Sequence, residues 1–138
     1  MRTKLGIVVA VVGLACMAGP ALAHHGFDTE YDAKKKVQLD GVVTQVAWTN
    51  PHMRVYIDVT GSDGKVTNWN LELTSPNRIR RAGWGPNDLK KGDKVTFEGY
   101  GGIVVESRGS LLSIRKAGEK AYLFEEGGPE TAGEQRPK

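Results

Sequence analysis

Five strand-patterned segments, a short helix-patterned segment between the third and fourth, and Gly-rich turns at the joints predict an all-β domain. The element order is that of a small OB-like Greek-key barrel of five strands, with one short helix between strands three and four. Closing the strands into a barrel removes the exposed edges that a sheet of this size would otherwise carry. A β-sandwich would need about seven strands, with turn signals spread more evenly.

The first strand is read over 36–48, KVQLDGVVTQVAW, whose apolar positions fall on both parities around Gly41. That is the pattern of a long strand kinked at a glycine and able to pair with two neighbours. From Met53 to Thr60 the alternation is clean: Met53, Val55, Ile57 and Val59 point to the core, and Arg54, Tyr56, Asp58 and Thr60 to water. Turn residues at 61–64 lead to a third strand over 65–73, with Thr67, Trp69, Leu71 and Leu73 on one face. Ser75-Pro76 then opens a helix over 76–82, the serine hydroxyl capping free amides and the proline occupying the first position, with Gly83 as the stop. The fourth strand spans 94–100 with Val95 and Phe97 inward, a turn falls at Arg108-Gly109, and the fifth strand spans 111–116. The predicted core is Val43, Val55, Ile57, Val59, Leu71, Leu73, Val95, Phe97, Leu112 and Ile114, with Trp69 and Trp84 sealing the barrel against the helix.

With 138 residues, 39% hydrophobic and 25% charged, the chain has room for one ordinary domain. Residues 1–23 read as an export signal: basic Arg2 and Lys4, an apolar run from Leu5 to Gly19, and the small-x-small close Ala21-Leu22-Ala23. The run is 15 residues long, whereas a membrane-spanning helix needs roughly 20. Cys16 follows Gly13-Leu14-Ala15, whereas a lipoprotein processing site would want leucine or a similar residue where Gly13 stands. The expected organisation is therefore a signal peptide (1–23), an N-terminal extension (24–35), the OB-like domain (36–118) and a flexible tail (119–138). A periplasmic or secreted location without a membrane span after processing goes with it.

Cleavage after Ala23 removes Arg2 and Lys4 and leaves 17 basic against 16 acidic side chains, a net charge of +1 instead of +3. So small a charge gives no field for non-specific nucleic-acid binding, and none is expected. Processing also removes the sole cysteine, so the protein can enter an oxidising compartment without mispairing.

Three histidines are present: His24, His25 and His52. After cleavage His24 carries a free α-amine beside its imidazole, a nitrogen chelate suited to copper and less to zinc. The amine has an ordinary pKa of about 8, so a metal displaces its proton at modest cost near neutrality. His25 offers an alternative chelate through the amine, its own amide and its imidazole. His52 is the natural third ligand, in the turn Trp48-Thr49-Asn50-Pro51-His52, where the proline fixes the backbone and turns the ring outward. The competing assignment is an unstructured His-His start and a loop histidine held by a local hydrogen bond.

The start His24-His25-Gly26-Phe27, Trp48-x-Asn50-Pro51-His52, Trp69-x-Leu71-Glu72, Arg78-x-x-Arg81-x-Gly83-Trp84 and Leu89-Lys90-x-Gly92-Asp93-x-Val95 together resemble a family of small exported bacterial proteins of unknown function, over residues 22 to 118. The resemblance implies an extracytoplasmic β-barrel domain and brings no activity with it. This chain departs from it at Gly26, where the family start often has serine.

Enzyme templates are missing from the sequence: no nucleophile elbow, no phosphate-binding glycine loop, no His-Glu-x-x-His and no cysteine nucleophile in the mature part. Glu72, Asp93 and Glu98 are spread over strands and loops, without a spacing that pairs two of them for acid–base hydrolysis. A non-enzyme is expected. The rival to a metal protein is a non-catalytic envelope adaptor, or a glycan- or protein-binding module, acting through Trp48, Arg54 and Tyr56 together with Arg78 and Arg81 of the helix.

Overall fold

The computed structural model describes residues 25–119 and 121–123. They form α1 (His25–Glu30), β1 (Tyr31–Ala47), β2 (Arg54–Thr60), β3 (Val66–Glu72), α2 (Pro76–Arg81), β4 (Lys94–Gly102), β5 (Arg108–Lys116) and a two-residue β6 (Tyr122–Leu123). The domain is mostly β, with two helices of six residues each. The predicted tail lies largely outside the described residues, as does the whole predicted signal segment.

The strands run β3-β2-β1-β4-β5-β6 across one sheet, and β3 also pairs in parallel with β5 through Leu71↔Gly109 and its neighbours. Pairing that leaves β3 on one side thus returns to it on the other. β1 makes this possible because it serves two partners: Tyr31 and 36–42 pair with β4, and 42–47 pair with β2. Val42 faces both Asp58 and Lys94, one residue after Gly41, where the strand was expected to kink. Beyond it, an irregularity between Val43 and Gln45 lets the Val43 backbone bond instead to the loop before β4, through Asp93 O at 2.9 Å and Gly92 N at 2.8 Å.

The core contains Val43, Val55, Ile57, Val59, Leu71, Leu73, Val95, Phe97 and Ile114, as strand parity predicts, together with Met53, Trp69, Ile79, Trp84 and Leu89. Leu112 is a correction: it is half-buried, and Leu111 takes the core position. The cause is a bulge. Glu98 pairs with Ser113 but Gly99 pairs with Leu111, so β5 carries one extra residue, Leu112, and its inward parity flips there. Strict alternation counted back from Ile114 therefore selects the wrong leucine.

Three local expectations are also revised. Ser75 places its backbone correctly, with φ −65° and ψ 151°, but its side chain makes no capping hydrogen bond; its carbonyl accepts from Arg78 N and Ile79 N at 3.0 and 3.2 Å. Pro76 and Gly83 act as read, the glycine leaving the helix at φ +87° in the left-handed region. Arg108-Gly109 opens β5 rather than forming a turn, because Gly109 packs against Leu71 of β3 and Tyr100 of β4. The first strand begins at Tyr31, five residues before the alternation starts, since Tyr31 pairs with Gly102 while 32–35 loop out of register.

Candidate functional site

Register across the β2–β3 hairpin builds the site. Arg54 pairs with Glu72, Tyr56 with Asn70 and Asp58 with Asn68, all on the outer face, while Val55/Leu71 and Ile57/Trp69 alternate with them into the core. Arg54 Nη1 donates to Asn70 Oδ1 at 3.0 Å, and Nη2 pairs with Glu72 Oε2. His52, in the turn before β2, sets its Nδ1 2.5 Å from Glu72 Oε1. Tyr31, from the start of β1, is buried beside the Glu72 carboxylate.

One carboxylate therefore meets three groups brought from three segments. Its side chain is 16% exposed, so in the absence of such partners its charge would be poorly solvated. The Tyr31 hydroxyl is held well above the ordinary tyrosine range, first by burial, then by the nearby charges of Glu72 and Glu30, with Arg54 opposing. His52, by contrast, is 54% exposed. A carboxylate on one nitrogen of a half-exposed imidazole is an arrangement that suits a metal ligand.

The N-terminal segment docks beside this group. Phe27 of α1 lies 5.3 Å from the Tyr31 ring and 5.7 Å, edge-on, from that of Tyr100, and Ile103 N donates to Glu30 O at 3.0 Å. The chain of contact Phe27–Tyr31–Glu72–His52 joins the segment that bears the paired histidines to the loop that bears the third. His25 contributes its backbone to α1, its side chain lying outside the described set; His24 lies outside the described residues altogether. Among the described residues, no group of three or more His, Cys, Asp or Glu side chains is placed to hold a metal.

The candidate partner residues fall into two groups. Arg54 and Tyr56 lie on the outer face of β2, but the Arg54 guanidinium is engaged by Glu72 and Asn70, not simply turned to water. Trp48 belongs with α2: its ring lies 5.8 Å from that of Trp84, and the Arg80 guanidinium sits over it at 5.8 Å. It is therefore half-buried, not an open stacking platform. Arg78 and Arg81 are exposed on α2, and it is Arg80 that meets the indole. An open groove of about 420 Å³ near Asp40, Asp58 and Lys94 includes neither group.

Sequence reasoning missed Glu72, Asn70 and Tyr31 as site residues. A usable signal existed for the first two, because counting outward from the 61–65 loop pairs Arg54 with Glu72 and Tyr56 with Asn70.

A family model matches residues 10–110 of the chain. The chain belongs to DUF6152, a family of unknown function. The match includes α1, the Trp48-x-Asn50-Pro51-His52 turn, and Tyr31, Arg54 and Glu72, so the whole Glu72 cluster lies within the DUF6152 region. No curated protein and no solved structure matches the chain. No helix among the described residues is long and apolar enough to cross a membrane.

Proposed function

We propose that this chain is an exported, non-catalytic binding protein on an OB-like Greek-key barrel, and that its processed form binds one copper ion. The barrel reading is supported by the return of β5 to β3 and by the position of α2 between β3 and β4. Export rests on the three-part pattern of residues 1–23. The ligands are the α-amine and imidazole of His24 with the imidazole of His52; His25 stands by as an alternative, and zinc is the second choice of metal.

The carrying observation is the contact line from Phe27 through Tyr31 and Glu72 to His52. It anchors α1, which begins at His25, beside the cluster that holds the loop histidine, and His24 directly precedes that helix in sequence. Calorimetric titration with copper, on protein starting at His24 and on protein carrying one added N-terminal residue, tests the reading. Correctly processed protein should bind one equivalent; the added residue should weaken binding sharply, and His52→Ala by at least about tenfold, a loss of 1.4 kcal/mol. Equal, weak binding by all three would reject the copper reading and leave the protein as an envelope adaptor or glycan-binding module acting through Arg54, Tyr56 and the face of α2.

A further inference from the structure

We infer that Glu72 is the positioning residue of the copper site: it accepts the Nδ1–H of His52, so Nε2 is the atom offered to the metal, and it remains outside the ligand set itself. The inference rests on the copper reading above for its function, but its geometry stands independently.

The argument starts from the carboxylate. A free Glu72 beside a histidine would be an oxygen ligand in its own right, and would tilt the site towards zinc or harder cations. Here both oxygens are engaged: Oε2 with the Arg54 guanidinium and Oε1 with His52 Nδ1 at 2.5 Å. Arg54 is in turn fixed by Asn70 at 3.0 Å. The carboxylate is 16% exposed, whereas the His52 side chain is 54% exposed, so solvent and metal approach the imidazole and not the acid.

A neutral imidazole carries one proton. With Nδ1–H committed to Glu72, the lone pair resides on Nε2, away from the cluster. A carboxylate in this position also fixes the orientation of the ring as a ligand. The donor set that remains is nitrogen only, which is the set that favours copper(II) over calcium, magnesium or manganese.

Nitrogen-detected NMR of the metal-free, correctly processed protein at alkaline pH, with the His52 signals assigned by their loss in His52→Ala, reads the tautomer directly. Wild-type His52 should be the Nδ1–H form, and Glu72→Leu, which has no acceptor, should raise the share of the Nε2–H form. Copper titration of Glu72→Leu should give an affinity at least about tenfold weaker, while millimolar calcium or magnesium should not compete in the wild type. Thermal melting of each variant separates unfolding from a change of tautomer. A wild-type His52 in the Nε2–H form overturns the inference whatever the variants do, and so does a folded Glu72→Leu with an unchanged tautomer. If wild-type protein binds no copper, the proposed function fails, yet the tautomer of the metal-free protein still decides the role of Glu72.

Discussion

Gly41 lies so close to Ile57 that a β-carbon built on it would stand 2.5 Å from the Ile57 Cγ2, and 2.6 Å from the Asp58 carbonyl oxygen. This is where β1 passes from one partner to the other, and the two strands approach too closely for a side chain. The Ile57 methyl can turn aside; the carbonyl, part of the sheet backbone, cannot. Gly41→Ala should therefore lower stability by about 1–3 kcal/mol, the range for overpacking a dense core. Gly26→Ala, where nothing lies within 4 Å of the added carbon, should be neutral or slightly stabilising. Urea midpoints at constant slope compare the two, and equal midpoints would show that β1 bends without the glycine.

The bulge in β5 separates two adjacent leucines. Leu111 is 1% exposed and pairs with Gly99 inside the sheet, while Leu112 occupies the extra position and remains half-buried. Leu111→Ala should cost about 2–5 kcal/mol, as buried leucine truncations do, and Leu112→Ala clearly less. A reversed order in chemical denaturation would mean that alternation runs through β5 unbroken.

The legible parts of the fold are those where one face is dry and the other wet. Met53 to Val59 and Trp69 to Leu73 alternate without interruption, so their core residues, the hairpin joining them and the helix after Ser75-Pro76 can all be read from residue order. The bulge at Leu112 was hidden because an extra residue in one strand is specified by its partner, Gly99, and not by its neighbours in sequence. Tyr31 was hidden because Asp32, Ala33 and the lysines at 34–36 carry no alternation. In the site, His52 was found by residue type, but Glu72 took on meaning only through the register that sets it beside Arg54 and through a tyrosine 41 positions earlier. Outward parity identified Arg54 as a wet residue; it could not say that a carboxylate was waiting there.

That carboxylate changes what Arg54 is expected to do. Truncation of an exposed arginine usually changes stability by about 0.5 kcal/mol or less. Arg54→Ala instead leaves Glu72 with a poorly solvated charge and Asn70 without its donor, and should cost about 1–3 kcal/mol. Replacing both charges with apolar residues, Arg54→Met with Glu72→Leu, should recover part of that loss, because a partly buried pair is harmed more by losing one member than by losing both. Melting of Arg54→Ala at the wild-type temperature would return Arg54 to the solvent-facing partner surface.

Tyr31 supplies a pH dependence with a definite sign. Tyr31 is 8% exposed, and burial, followed by the charges of Glu72 and Glu30, raises the proton affinity of its hydroxyl well above the ordinary value of about 10, against the pull of Arg54. The folded protein thus holds this proton more tightly than the unfolded chain. The stability that results is fully present below about pH 10, the unfolded value, and is lost as the pH rises from there through the folded value. Above pH 10 the wild type should lose up to about 1.4 kcal/mol per pH unit from this one group. Tyr31→Phe removes the hydroxyl and with it that slope, so any advantage of the wild type over the variant should be constant from pH 7 to 9 and shrink steadily above 10. Urea midpoints of the two proteins across that range make the comparison, with a common background from the remaining tyrosines and lysines. Parallel curves up to pH 11.5 would mean that the Tyr31 hydroxyl is not buried beside Glu72 in solution, and the contact line from Phe27 to His52 would be cut at its middle.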